Sequence, residues 1–396
     1  MAPATETAAP AETAAPAETG TPSPTPTPTP TEPSPPTGST PPTVDPDRLE
    51  AAVGHVFGEL GVNCTAPLIV LGDRLGLFRT MAGAGPLTSA ELAARTGLVE
   101  RYVREWLRGV AVASYLDHDP ATDGFTLTDE YAAVLADDGS PTALIGVFPG
   151  LIALWADLDR IEGFFRTGGG MGWGEHHPAL GLAQERFTRP AYVHGLIAAW
   201  IPAVEGIVPR LEAGARVADV GCGHGLSSIL IAQRWPHSTV VGFDPDDAAV
   251  ARARASAAEA GLDGRAVFEV ADAAGYPGDG YDLITFTDSL HDMGDPVAAV
   301  AHARAALAAD GAVLVVEPLA ADRFADDFAN PYARVGYAIS TLVCTPSSLG
   351  QTGAAALGTM AGEARLREVL AAGGLTRVRR IAEDSAPLNI LLEARP

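Results

Sequence analysis

The sequence contains no lysine, and all 26 of its basic residues are arginine. This absence excludes Schiff-base chemistry on lysine and the lysine of a phosphate-binding P-loop. Acidic residues dominate, with 49 Asp and Glu and a net charge of −23. Because nucleic-acid affinity depends on neutralising phosphates with basic groups, the composition opposes a nucleic-acid partner.

Cysteine is also scarce, and Cys64, Cys222 and Cys344 stand far apart in the chain. An odd number of separated cysteines favours neither a disulfide framework nor a cysteine-rich metal site. No apolar run reaches the ~18–20 residues of a membrane span, and the first residues have neither the basic start nor the apolar stretch of a signal peptide. We therefore expect a cytoplasmic protein with no bound metal and no membrane partner.

Residues 1–45 consist almost entirely of Ala, Pro, Thr, Glu and Ser. Such a segment cannot bury enough apolar surface to offset the entropy of ordering it. The composition predicts a disordered tail with polyproline character. The roughly 350 residues that follow correspond to about two domains.

Residues 46–140 are predicted to form a helical domain that ends in a winged helix. Apolar residues recur at helical spacing over 47–61 and again over 65–80, which predicts two helices. Thr88 or Ser89 is a candidate N-cap for a third helix. A fourth helix and two short extended pieces around a tight turn complete the pattern of helix, turn, helix and hairpin.

Residues 141–211 are predicted to be helical, with a break at Gly168–Gly170. Over residues 212–396 the pattern changes to apolar strands that alternate with helices. This alternation predicts an α/β, Rossmann-like fold with a mostly parallel, seven-stranded sheet covered on both faces. A mixed stretch, 319–361, interrupts the sheet as an insertion that can form a lid. The predicted strands are 215–220, 238–243, 265–271, 280–287, 311–317, 376–382 and 387–394.

The most specific feature is a turn between a predicted strand and a predicted helix, which contains Asp219, Gly221, Gly223 and Gly225. Glycine allows the backbone to bend sharply and to approach a ligand closely. The helix that follows offers free N–H groups and the positive end of its dipole. A dinucleotide fingerprint needs G-x-G-x-x-G, which this spacing does not match, whereas the pattern D-x-G-x-G-x-G fits.

Acidic residues follow the strands around this turn. Asp219 suits a cationic amino group, and Asp244 is placed to accept hydrogen bonds from ribose hydroxyls. Asp272, with Ala273 beside it, is a candidate for binding the exocyclic amine of adenine. All lie at the carboxyl ends of strands, where open α/β sheets bind ligands. Taken singly, each has a structural alternative, because a glycine turn can be a tight connection and an Asp after a strand is often a helix cap.

In this order and on these elements, the residues resemble the class I S-adenosylmethionine-dependent methyltransferases over about 215–396. With the helical, winged-helix domain in front, the chain resembles over about 50–396 the O-methyltransferases of plant phenolic and actinobacterial natural-product pathways. The resemblance implies S-adenosylmethionine as the cofactor and a small molecule as the acceptor. It also implies that the winged helix serves homodimerisation and shapes the substrate pocket.

His291 and Asp292 follow the predicted strand 280–287. In the resembling O-methyltransferases a His-Asp pair stands here and its His is the general base, a role that maps onto His291. An imidazole that titrates near neutrality suits this role. Asp288, which is also counted with the cofactor-binding residues, Asp292 and Glu317 are candidates for the carboxylate that orients it. The alternative is that His291 only caps or packs against the next helix.

Other side chains carry weaker predictions. His176 and His177 follow the glycine-rich break and are candidates for lining the pocket. Tyr192 and Trp200 are expected to pack in the core, with a contact to adenine or substrate as the alternative. Two further functions stay open: a methyltransferase acting on a peptide or protein, on nitrogen or on a carboxyl group, and a DNA-binding regulator that senses S-adenosylmethionine. The regulator is opposed by four Arg against ten Asp and Glu over residues 85–138.

Overall fold

The computed structural model describes residues 44–396, so the predicted tail lies outside the described residues apart from its last two. A boundary between His55 and Val56 divides the chain into two units, Met1–His55 and Val56–Pro396. Only residues 44–55 of the first unit are described, and they begin the first helix. The winged helix, the sheet and the candidate site all belong to the second unit.

The helices and strands within the described residues are numbered in chain order. The helices are α1 Pro46–Arg74, α2 Leu77–Met81, α3 Ser89–Thr96, α4 Glu100–Val112, α5 Asp129–Leu135, α6 Leu151–Ala156, α7 Leu158–Thr167, α8 Ala179–Ala191, α9 Ile207–Ala213, α10 Leu226–Arg234, α11 Asp247–Glu259, α12 Pro296–Ala306, α13 Phe324–Asp327, α14 Ala333–Ile339, α15 Thr345–Leu349 and α16 Gly362–Ala372. The strands are β1 Asp117–Asp119, β2 Gly124–Thr126, β3 Arg216–Val220, β4 Thr239–Asp244, β5 Ala266–Val270, β6 Tyr281–Thr287, β7 Leu307–Pro318, β8 Arg377–Arg380 and β9 Asn389–Arg395. Wider, π-helical turns occur at Tyr192–Trp200 and Ser340–Cys344.

The predicted helices and hairpin of the winged helix are confirmed. Thr88 caps α3, since its hydroxyl accepts from the Glu91 N–H at 3.3 Å while the Glu91 carboxylate accepts from the Thr88 N–H at 2.8 Å. This reciprocal pair satisfies two N–H groups that the helix start leaves free. Gly97 ends α3 in the left-handed conformation, with φ of 69°. Strands β1 and β2 pair antiparallel and form the wing.

The prediction of two helices over 47–61 and 65–80 is wrong, because α1 runs without a break from Pro46 to Arg74 and α2 follows separately. Proline inside a helix removes one backbone hydrogen bond, and Pro67 lies inside α1. Two side chains also bond to backbone carbonyls in the turns before it. Asn63 donates to the Glu59 carbonyl and Thr65 to the Gly61 carbonyl, both at 2.9 Å.

Helix α1 is exposed along most of its length, including large apolar side chains such as Val56, Phe57 and Leu60. Because α1 is one continuous helix, its length and composition meet those of a membrane span, although no uninterrupted apolar run in the sequence is that long. In the most apolar window of α1, 6% of the residues are buried. The bent pair Ala179–Ala203 and Ile207–Ala213 passes the same test. The exposed apolar face suits the homodimer that the resemblance implies, and that assembly stays a prediction.

The predicted sheet is confirmed, with seven strands in the order β5-β4-β3-β6-β7-β9-β8. The first five strands in this order, β5, β4, β3, β6 and β7, pair with their neighbours in parallel. Strand β9 pairs antiparallel with both β7 and β8. One apolar core includes residues of α9, α10 and α11, and a second includes residues of α12 and α16. Strand order reverses between β3 and β6, so a crevice opens at their carboxyl ends, where such sheets bind ligands.

Candidate functional site

The glycine turn after β3 has the backbone that its sequence predicts. Gly221, Gly223 and Gly225 have φ of 75°, 50° and 81°, a region that side-chain-bearing residues rarely adopt. The N–H groups of Gly221 and Cys222 both donate to the Phe243 carbonyl of β4, at 2.8 and 3.0 Å. The turn is thereby fixed to the neighbouring strand, and its last glycine leads directly into α10.

Asp219 is fully buried at the end of β3, and hydroxyl groups surround its carboxylate. One oxygen accepts from Ser227 at 2.5 Å and Ser228 at 2.6 Å, and the other accepts from Thr285 at 2.8 Å and Thr287 at 3.3 Å. These bonds tie β3 to the start of α10 and to β6. The four hydroxyls use the same oxygens that the predicted amino group of a cofactor would need, so that role of Asp219 stays a prediction.

Asp244, at the end of β4, faces the same turn. One carboxylate oxygen accepts from the Gly223 N–H and the other from the Asp246 N–H, both at 2.9 Å. Burial raises the pKa of Asp244 despite these bonds. Asp272 lies beyond the end of β5, exposed, where it accepts from the Ala274 N–H at 2.8 Å; Ala273 beside it is half-buried. The carboxylates thus lie along one edge of the sheet, as the ribose and adenine predictions require.

Replacing Asp244 by alanine is expected to weaken S-adenosylmethionine binding by about 1–3 kcal/mol, because ribose hydroxyls would lose their acceptor and the turn its anchor. Titration calorimetry measures this difference directly. Asp247→Ala is the matched control, since it removes the same charge from an exposed position three residues away. Equal affinity of the Asp244 variant and the parent would contradict the ribose assignment.

His291 and Glu317 form a buried pair at the carboxyl ends of β6 and β7, with 4% and 2% of their surfaces exposed. Nδ1 of His291 is hydrogen-bonded to one oxygen of Glu317. The other oxygen accepts from the N–H groups of Leu290 at 2.9 Å and His291 at 3.4 Å. Of the three candidate carboxylates, Glu317 is therefore the one that orients the imidazole through Nδ1 and leaves Nε2 for other partners.

Asp292 lies on the other side of the same imidazole. Its Oδ1 is 3.4 Å from Nε2 of His291, and its Oδ2 accepts from Nε1 of Trp173 at 2.6 Å. Burial lowers the pKa of His291, but the carboxylates of Asp292 and Glu317 outweigh burial and raise that pKa well above its ordinary value. The sequence predicted an imidazole pKa near neutrality, and this prediction differs from the raised pKa found here. The reason is that the sequence did not show that two carboxylates contact the same imidazole ring.

Asp288 directly follows β6 and adopts a left-handed backbone, with φ of 51°. Its carboxylate accepts from the Tyr192 hydroxyl at 2.9 Å and from the Asn389 amide at 3.3 Å. Burial, with the nearby charge of Glu317, raises the pKa of Asp288 to about 7. Tyr192 thus contacts a site residue, in addition to packing in the core as predicted.

The segment that contains Ser289 and His291, called the catalytic segment below, contacts the glycine turn. The Ser289 hydroxyl donates to the Val220 carbonyl at 2.8 Å. A Cβ placed on Gly221 would lie 2.6 Å from the Cβ of Ser289. Because Ser289 stands two residues before His291, the structure brings the predicted cofactor turn and the predicted base into one site.

Sequence reasoning missed the contact of Trp173 with Asp292 and that of Asn389 with Asp288, since both side chains reach the site from a distant part of the chain. The two histidines predicted to line the pocket differ in burial, since His176 is buried and His177 is exposed. Nδ1 of His176 is 3.0 Å from Asp157, and its ring is buried, so His176 fixes the segment that carries Trp173. Trp200 packs in the core, as expected by default.

The fold and this site are similar to those of a class I, S-adenosylmethionine-dependent methyltransferase domain preceded by a winged helix. A family model described as a methyltransferase domain matches residues 192–351. A second model, described as an Rv2258c-like winged HTH domain, matches residues 63–137. Both matches agree with the class of protein that the glycine turn predicted.

Curated relatives match a shorter part of this chain than the two family models together. A trans-aconitate 2-methyltransferase of Streptomyces avermitilis is 42% identical over 85 residues, which cover 21% of this chain and 32% of the relative. A 27-O-demethylrifamycin SV methyltransferase of Amycolatopsis mediterranei is 39% identical over 92 residues, 23% of this chain and 33% of the relative. The chain spans about a third of the length of these relatives, and their acceptors differ from each other.

Solved structures match nearly the whole chain at low identity. PigF with SAH has a TM-score of 0.63 at 20% identity and covers 88% of this chain and 99% of its own. The mitomycin 7-O-methyltransferase MmcR has a TM-score of 0.60 at 21% identity, with coverage of 88% and 99%. Human N-acetylserotonin methyltransferase in complex with SAM has a TM-score of 0.60 at 18% identity, with coverage of 89% and 98%. These likenesses confirm the two-part fold.

Proposed function

We propose that this protein transfers the methyl group of S-adenosylmethionine to a hydroxyl oxygen of a small molecule, with His291 as the general base. The observation that carries the proposal is the buried pair of His291 and Glu317, placed beside the glycine turn at the carboxyl edge of the sheet. A base oriented by a carboxylate and adjacent to the cofactor turn suits an acceptor that must lose a proton.

The cofactor would lie along the edge formed by the glycine turn, Asp244 and Asp272. The missing side chain of Gly223 leaves space for close approach, and the start of α10 offers free N–H groups. The carboxylates of Asp244 and Asp272 can accept from ribose hydroxyls and from the adenine amine. Neighbouring folds bound to SAM or SAH support this assignment.

Methyl transfer is an in-line displacement at the sulfonium carbon. A bond forms from the acceptor oxygen to the methyl carbon, the bond from sulfur to that carbon breaks, and S-adenosylhomocysteine leaves. Alignment of the two reactants can contribute ~7–11 kcal/mol. The hydroxyl proton passes to Nε2 of the neutral imidazole, the form that His291 takes above its raised pKa. Glu317 stabilises the imidazolium that forms, a step typically worth about 10²–10⁴-fold in rate.

The acceptor atom distinguishes this proposal from its alternatives. The names of MmcR and of the rifamycin relative describe methylation on oxygen, whereas the trans-aconitate relatives suggest a carboxylic acid acceptor. A carboxylate is already ionised at neutral pH and needs no base. The His291 and Glu317 pair therefore favours a hydroxyl acceptor.

The test is an acceptor screen with the purified full chain and S-adenosylmethionine. The panel contains phenols, alcohols, carboxylic acids and amines of matched size, and mass spectrometry detects the gain of one methyl group. We expect methylation among the hydroxyl compounds, with equal amounts of S-adenosylhomocysteine. Methylation confined to carboxylic acids or amines would overturn the hydroxyl assignment, and failure to bind S-adenosylmethionine in calorimetry would overturn the enzyme assignment.

A further inference from the structure

Cys344 takes no part in the proposed methyl transfer, yet its sulfur faces the catalytic segment. Sγ of Cys344, a ring nitrogen of His291 and a carboxylate oxygen of Asp292 all lie within 4.8 Å of one another. The three residues are buried, with 3%, 4% and 8% of their surfaces exposed. Thiolate, imidazole and carboxylate are the side-chain ligands that zinc uses in proteins.

An independent observation points to a missing ligand at this position. Oδ1 of Asp292 is buried and has no hydrogen-bond partner within the described residues, and it lies 3.4 Å from Nε2 of His291, a long contact for a hydrogen bond. A buried carboxylate oxygen without a partner is costly. A cation at this point would supply the missing interaction.

Each of the three residues is also held by a second side chain. Glu317 bonds to Nδ1 of His291, which leaves Nε2 for a metal. Trp173 donates to Oδ2 of Asp292 at 2.6 Å, and Thr359 donates to the sulfur of Cys344 at 2.9 Å. Partners of this kind orient metal ligands and fix the tautomer of a ligating histidine.

We propose that His291, Asp292 and Cys344 bind one thiophilic divalent cation of the zinc class, with a fourth coordination position left for water or a ligand. Cysteine together with histidine selects zinc over magnesium and calcium, which prefer oxygen ligands. Binding displaces the thiol proton of Cys344 and the Nε2 proton of the His291 imidazolium to solvent, and the metal then engages the thiolate and the lone pair of Nε2. The bound ion therefore excludes the base role of His291 and inhibits the methyl transfer proposed above.

The experiment uses the full-length protein, freed of metal by dialysis against a chelator and titrated with Co²⁺. We expect visible bands of tetrahedral cobalt and a near-ultraviolet charge-transfer band from thiolate to metal, saturating at one ion per chain. Zinc affinity is measured by competition with a chromophoric chelator. Neither measurement needs cofactor or acceptor, so the outcome does not depend on whether the proposed methyl transfer is correct.

Variants assign the band to individual side chains. Cys344→Ser should abolish the charge-transfer band, and Cys64→Ser, which changes an exposed cysteine, should leave it intact. Thr359→Val should weaken zinc binding by about 10-fold, as is typical for partners of metal ligands. Asp292→Asn serves as a second ligand variant should Cys344→Ser unfold, which circular dichroism reports.

Two outcomes would overturn the site. One is the absence of a thiolate-to-cobalt band in the parent protein at millimolar Co²⁺. The other is a band that persists in Cys344→Ser and disappears in Cys64→Ser. Addition of Zn²⁺ at saturating occupancy should lower methyl transfer in the parent and restore it on chelation; full activity of the zinc-loaded protein would contradict the proposed inhibition.

Discussion

His291→Ala is expected to lower the turnover number with a hydroxyl acceptor by about 10²-fold or more, because the acceptor's proton then has no positioned base. The affinity for S-adenosylmethionine should stay close to that of the parent, since His291 is not among the residues assigned to the cofactor. Steady-state kinetics with the acceptor found in the screen, together with titration calorimetry for the cofactor, separate the two effects.

A matched histidine variant controls for general effects of the substitution. His118 lies on the wing, where its ring contacts Asp123, and His118→Ala should leave turnover within a few-fold of the parent. Glu317→Gln should also lower turnover, because the amide cannot stabilise the imidazolium in the same way. Turnover of the His291 variant within a few-fold of the parent would remove His291 as the base and reopen the carboxyl acceptor, which needs none.

Gly221→Ala should damage both the fold and cofactor binding. A side chain at φ of 75° costs roughly 1–2 kcal/mol. The added methyl group would also lie 2.6 Å from the Cβ of Ser289, inside a buried contact, and overpacking of this kind typically costs about 1–3 kcal/mol more. Urea unfolding monitored by circular dichroism measures the loss in the free energy of unfolding.

Gly223→Ala is the matched comparison, because its φ is also positive but no atom of residues 44–396 lies within 4 Å of the Cβ that alanine would add. Its free energy of unfolding should fall by only the backbone cost of about 1–2 kcal/mol. Calorimetry should show weaker cofactor binding in both variants, since each added methyl group strains the backbone of the turn that is assigned to the cofactor. Equal stability losses for the two would show that Ser289 gives way, and parent-like cofactor affinity in both would move the cofactor away from this turn.

The sequence predicted the catalytic half of the fold well, for a physical reason. Buried parallel strands read as short apolar runs, and the glycine turn specifies its own backbone, so β3, β4 and β6 begin and end within about two residues of their predicted bounds. The sequence limited the cap of α3 to Thr88 or Ser89, and the structure assigns it to Thr88 with Glu91 three residues away. These features depend on neighbours in the chain.

The features that the sequence did not predict depend on distant residues or on side-chain geometry. Helix α1 continues through Pro67 although proline removes one backbone hydrogen bond, and apolar periodicity does not predict this continuation. The choice of Glu317 among three carboxylates follows from strand register, since β7 places it opposite the end of β6. Trp173 reaches Asp292 across 119 positions of the chain, and no local pattern marks it.

The four hydroxyl groups around Asp219 have a consequence for ligand recognition. Strand β6 and helix α10 are fastened to the same buried carboxylate, so the mouth of the crevice holds its shape before anything enters it. A receptor that is already in its bound form loses little conformational freedom on association. Free energy gained from contacts with the nucleoside is then available for discrimination among nucleosides, and little of it is spent on ordering the protein.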